Sequence, residues 1–220
     1  MLFSFGVFLL AIMLFILLCV SSFLIYKRRY NIKYSIKNMF PFELTYKTLF
    51  KDNIYTYIFL TLFSVTSIWY FVTFDLSYSD GYLIFTSIAG TIASIILLLL
   101  FVIPLTNLRA HTILSVLFFV ADFSSTGAIL MTALRSNHEY SQPLKIVTIV
   151  LSIILIVVGF SLIFNPRLTL DIRAKESVNE QGEKIMVRPK WVLYAFTEWC
   201  YIFIFLGNLT CLALLNFCVI

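Results

Sequence analysis

The sequence predicts an all-α, polytopic integral membrane bundle of six transmembrane helices, and three observations carry that prediction. The chain is 61% hydrophobic and only 12% charged, with a mean hydropathy of +0.98, outside the usual balance of a water-soluble domain. Its charges separate six long apolar segments, about 2–26, 54–74, 82–105, 110–134, 146–165 and 191–217. Each reaches the roughly 20 residues that cross about 30 Å of hydrocarbon as a helix. What remains is two longer loops, 27–52 and 167–190, and short connectors, so residues 1–220 read as a single transmembrane domain.

The first segment lacks the basic start and small-residue cleavage site of a secretory signal, and its apolar run is too long for one, so it reads as a retained anchor. It also has the least polar striping, which predicts a peripheral, lipid-exposed helix. The other spans carry small and hydroxyl residues at helical spacing: Thr61, Ser64 and Ser67 on the second, Ser87, Gly90, Thr91 and Ser94 on the third, and Thr148, Ser152 and Gly159 on the fifth. Such stripes let helices approach closely. Cys19, Cys200, Cys211 and Cys218 fall within spans without metal-ligand spacing and read as small apolar residues. Asn208-Leu209-Thr210 matches a glycosylation sequon, but its place inside the sixth span makes it a false positive.

Fourteen of the 16 Lys and Arg residues fall on one side of such a bundle, in loops 27–52 and 167–190 and at Arg109; only Arg135 and Lys145 fall on the other. By the positive-inside rule the basic side is cytoplasmic and both termini are extracytoplasmic. The formal charge of +5 is then topological, with no sign of a nucleic-acid-binding module. Loop 27–52 interleaves cations with aromatic and aliphatic residues, a composition suited to the headgroup region, and Lys27, Arg28, Arg29, Lys33 and Lys37 are its candidate contacts to lipid headgroups or partners. Pro41 turns the chain within it. Loop 167–190 mixes both signs around Gln181-Gly182 and reads as a short solvated hairpin or flexible loop. Trp69, Tyr70 and Trp191 suit interfacial belts.

Asp122 lies midway between Arg109 and Arg135 in an otherwise uncharged span, and no basic residue lies within any span to pair with it. His111, Ser115, Asp122 and Ser125 share one narrow sector of that helix. On the sixth span Glu198 is flanked one turn away by Tyr194 and Tyr201. These residues are the intramembrane polar or ion-handling candidates. In one reading Asp122 and Glu198 tie helices together through serine and tyrosine hydroxyls; in the other they line a cavity between the fourth and sixth helices and handle a proton or cation. An intramembrane metal site needs several converging ligands. With two histidines, His111 at the basic end and His138 in the opposite loop, no metal, cofactor or catalytic set is expected. No GxSxG elbow is present, and His111 reads as an interfacial residue beside Arg109.

Leu108-Arg109-Ala110-His111-Thr112 through Phe118-Phe119 to Gly127, together with Glu198-Trp199 opening an aromatic span, resembles the DRAM-like family of multi-span membrane proteins, which includes autophagy modulators and relatives in GPI-anchor remodelling. The resemblance covers two of the six spans and implies lipid-linked membrane biology; the family's long first exoplasmic loop has no counterpart here. Together these features predict a non-enzymatic subunit or modulator of a membrane assembly or of lipid organisation, its partners being membrane lipids and other proteins or further copies of itself. The alternative is a small proton- or cation-coupled carrier or channel using Asp122 and Glu198.

Overall fold

A computed structural model describes residues 2–31, 33–44, 50–77, 81–103, 108–135, 142–168, 175–178, 184–187 and 190–218. The helices are α1 (Leu2–Tyr30), α2 (Phe50–Ser77), α3 (Gly81–Val102), α4 (Leu108–Arg135), α5 (Gln142–Ile163) and α6 (Leu193–Cys218). All six contain a stretch long and apolar enough to cross a membrane. Consecutive helices pack side by side, and α6 also contacts α4 and α1. Between α5 and α6, β1 (Lys175–Val178) and β2 (Lys184–Val187) pair antiparallel with Lys175 opposite Val187. The hairpin form of that loop is therefore the one adopted. Lys47, Asp80, His138, Gln181 and Gly182 lie outside the described residues.

The core is built around α6, whose most apolar stretch is 67% buried. Phe205 is its hub, with ring centroids 6.1 Å from Phe63, 5.9 Å from Phe71 and 6.2 Å from Phe118. The small-residue stripes work as close-approach surfaces. Gly90 faces the Phe71 ring so closely that a Cβ would overlap it, and Ser87 Oγ donates 2.9 Å to the Phe71 carbonyl. Ser64 and Ser67 are buried, whereas Thr61 of the same stripe is exposed.

The expectation that α1 is the peripheral helix is corrected: 28% of its most apolar stretch is buried, against 17% for α5. Bulky knobs bury a helix as effectively as small ones. Phe15 packs a tilted ring against Phe63 at 5.3 Å and Phe8 against Tyr70 at 6.1 Å, and Ser22 Oγ donates to Thr56 Oγ1 across the same interface. On α5 only Thr148, Ser152 and Gly159 are buried, so its contact is one narrow stripe and its other faces present Ile and Val outward. Tyr70 is likewise core at 0% exposure rather than part of an interfacial belt, while Trp69 and Trp191 are exposed.

Helix α1 continues past the apolar segment, so Lys27, Arg28 and Arg29 form its last turn instead of a loop, all three exposed. Cations there complement the negative end of the helix dipole. Asn31 then stops the helix in the left-handed region, with φ of 52°, a conformation Asn tolerates at a C-terminal cap.

Candidate functional site

The structure concentrates buried polar side chains on the seam between α4 and α6. Two successive membrane crossings lie between the starts of these helices, so they run parallel, and their polar faces meet in register: His111 and Ser115 at Glu198, then Asp122 at Asn208. The interval from His111 to Asp122 is 11 residues and that from Glu198 to Asn208 is 10, nearly the same number of helical turns.

At the basic end, Glu198 Oε1 lies 2.9 Å from His111 Nε2 and accepts a 2.6 Å hydrogen bond from Ser115 Oγ. All three side chains are buried, so His111, at the basic end of α4, faces α6 and not the outside of the bundle. His111 Nδ1 lies 3.1 Å from the Ile103 carbonyl oxygen, and a carbonyl only accepts, so Nδ1 carries a hydrogen. One proton then sits between Nε2 and Oε1. Whether written as imidazolium with carboxylate or as imidazole with carboxylic acid, the pair is net neutral, which answers how a carboxyl is tolerated here without Lys or Arg.

A folded segment closes this end. Phe40, fully buried, sets its ring edge-on to His111 at 6.1 Å and beside Tyr194 at 6.1 Å. It precedes a short 3-10 helix, Pro41–Leu44, in which Pro occupies the first position and Glu43 reaches back to accept the Phe40 amide hydrogen at 2.9 Å, half of a capping box. Trp199, the residue after Glu198, donates its indole N–H to the Met39 carbonyl at 3.0 Å and the Tyr34 hydroxyl at 3.2 Å. Tyr34 in turn donates to the Phe40 carbonyl at 2.7 Å. Burial first, and then the charge of Glu43, hold the Tyr34 phenol well above its ordinary pKa, so it stays a donor. Part of loop 27–52 is thus a plug rather than a set of lipid anchors: Tyr34, Met39, Phe40 and Leu44 turn inward while Lys33 and Lys37 stay exposed, Lys37 lying 4.9 Å over the Trp191 ring.

Deeper along the seam, Asp122 is fully buried and its Oδ1 accepts from Asn208 Nδ2 at 2.7 Å. The same amide also reaches the Asp122 backbone carbonyl at 3.1 Å. Asp122 Oδ2, Asn208 Oδ1 and Ser125 Oγ are buried without a partner. Asp122 and Glu198 do not converge, because 11 residues of α4 separate their contact points by about 16 Å. Tyr201 is also not joined to either carboxyl. Its hydroxyl donates to the Gly159 carbonyl on α5 at 2.9 Å and its ring stacks on Phe119 at 4.2 Å, an approach that leaves little room for any side chain at position 159.

Asn208 is the partner that the sequence reading passed over, noted only as part of a false sequon. The 10-residue interval from Glu198 to Asn208 on α6 nearly matches the 11-residue interval from His111 to Asp122 on α4, a signal that narrows the candidates without setting how the two helices align. Among the described residues no three His, Cys, Asp or Glu side chains are grouped to hold a metal ion, and Cys19, Cys200 and Cys211 are free thiols. Chemically, the arrangement pairs an imidazole with a carboxyl at the basic end and a carboxyl with an amide near the middle of α4. Comparison of the chain with protein-family models, curated proteins and solved structures gives no match.

Proposed function

We propose that this multi-span membrane protein is non-enzymatic and acts as a subunit or modulator of a membrane assembly or of lipid organisation, with the α4–α6 seam as an internal fastener. The observation that carries this reading is that both intramembrane carboxyls are engaged by side chains of the neighbouring helix and closed from the surface, Asp122 at 0% and Glu198 at 2% exposure. Both ring nitrogens of His111 are occupied as well, so Ser115 has no imidazole to activate it. What the protein offers outward is apolar helix face and the exposed basic rim of Lys27, Arg28, Arg29, Lys33 and Lys37. In this reading the rim meets anionic cytoplasmic headgroups or an acidic partner, and the resemblance to the DRAM-like family favours the lipid side.

A second reading, a proton- or cation-coupled carrier, is favoured by the three unpartnered oxygens of Asp122, Asn208 and Ser125 at mid-membrane. Reconstitution separates the two. The chain in proteoliposomes is expected to show no flux under proton, sodium or potassium gradients. Joint replacement of Lys27, Arg28 and Arg29 by Gln should weaken binding to vesicles containing phosphatidylserine, by about 1 kcal/mol per charge. A saturable flux that disappears with Asp122→Asn would overturn the fastener reading.

A further inference from the structure

Away from the seam, α3 and α4 leave a cleft of ≈ 750 Å³ at the end of the bundle opposite the basic rim. Tyr82 and Phe85 of α3 form one wall and Gly127, Met131 and Arg135 of α4 the other. Phe85 and Met131 are 50% and 38% exposed, so the cleft opens sideways on the apolar surface. Its volume is within the roughly 300–1,000 Å³ of sites that hold one small molecule.

The chemistry changes along its length. From Gly127 to Arg135 is eight residues, about 12 Å of helix against the roughly 15 Å thickness of one hydrocarbon leaflet. The deep part is glycine and apolar side chain. At the mouth stands the Arg135 guanidinium, 4.6 Å over the Tyr82 ring. Gly127 is unlike the helix glycines packed under Phe71, Tyr201 or Leu155: a Cβ there meets nothing within 4 Å. Mid-helix glycine is costly relative to alanine, and here no neighbouring side chain accounts for it.

We propose that this cleft is a phospholipid site, in which one acyl chain lies along Gly127 and Met131 against Phe85 and the phosphate meets Arg135. The Arg135 cation lining the mouth favours headgroups of net negative charge. The cleft shares no residue with the α4–α6 seam, so the site goes beyond the fastener reading and does not depend on it.

Native mass spectrometry of the full chain, purified in detergent with equal amounts of palmitoyl-oleoyl phosphatidylglycerol and phosphatidylcholine, tests it. The protein should retain one phosphatidylglycerol in preference to phosphatidylcholine. Arg135→Gln should reduce that preference about fivefold. Gly127→Leu should lose both lipids with its thermal midpoint maintained, since the new side chain fills open space and leucine is the better helix former. Gly6→Leu, equally unhindered but on α1, should retain the lipid as the parent chain does. Lipid retention unchanged by Gly127→Leu, preference unchanged by Arg135→Gln, no retained lipid in the parent chain, or a dimer that Gly127→Leu dissolves would each overturn the proposal.

Discussion

Glu198 and Asp122 lie on the same helix seam, yet they are accommodated in opposite ways. Glu198, one and a half turns into α6, has a titratable partner: a histidine whose other nitrogen is anchored on a carbonyl, with a serine hydroxyl added and an aromatic plug above. Asp122, near mid-membrane, has only the amide of Asn208. Close to the bundle end, loop carbonyls such as that of Ile103 are available to anchor a ring that faces the carboxyl, although Glu198 Oε2, like Asp122 Oδ2, is buried without a partner. Deep inside, the helical backbone is already bonded to itself, and side-chain amides and hydroxyls are what remains. The contrast predicts that the first site tolerates loss of neither member, whereas the second tolerates an amide in place of the acid.

The largest effect should follow from breaking the first site on one side. His111→Ala leaves the Glu198 carboxyl buried beside Ser115 alone, and removal of one member of a buried pair typically costs about 3–5 kcal/mol. Glu198→Leu should be similar. The double variant His111→Leu with Glu198→Leu removes both polar groups and should regain much of that loss, because an apolar replacement of a buried pair is often neutral. Thermal unfolding in mild detergent, followed by tryptophan fluorescence, checks this. Additive losses in the double variant would show that the two side chains do not act as a pair.

Asp122 sharpens the comparison at smaller magnitude. Asp122→Leu should cost about 1–2 kcal/mol, the scale of an interhelical hydrogen bond lost in a bilayer together with the stranding of the Asn208 amide. Asp122→Asn should be close to neutral, since its own amide offers Asn208 an acceptor and also a donor for the carbonyl oxygen that lacks one. The ratio of folded to aggregated protein on size exclusion after graded heating reads both. Equal damage from Asn and Leu would mean that the acid itself is required.

This asymmetry also marks how far the sequence could be read. Six spans follow from hydropathy and length because the bilayer imposes both, and the polar face His111, Ser115, Asp122 and Ser125 follows from helical period alone. Which side chain answers each carboxyl does not, since it depends on how α4 and α6 slide past one another. A reading that treats each span separately therefore leaves Asp122 unpaired and does not join His111 to Glu198. The inward fold of residues 34–44 was hidden for a related reason: alternating cations and aromatics fit both a headgroup layer and a plug, and the choice rests on Trp199, 160 residues beyond Met39. Helix α1 shows the opposite error, in which lack of polar stripes was equated with lack of contacts.

That plug supplies the smallest effect and a test by pH. Tyr34→Phe keeps the ring stacked on Phe23, with centroids 5.0 Å apart, and removes only the hydroxyl that bonds Phe40 and receives the Trp199 indole. The cost should be about 1 kcal/mol. Because the folded phenol titrates well above the ordinary 10.0, the protonated form is the one that folding favours. Its contribution is complete below about pH 10, the unfolded value, and is lost as pH rises through the higher folded value. The stability gap between the parent chain and Tyr34→Phe should therefore be constant from pH 7 to 9 and narrow above pH 10, measured as the difference in thermal midpoint at each pH. A gap that stays flat to pH 11 would mean that the phenol is reached by solvent and that the segment over Glu198 opens, which would also remove the reason for His111 to keep its proton bonded rather than exchange it with water.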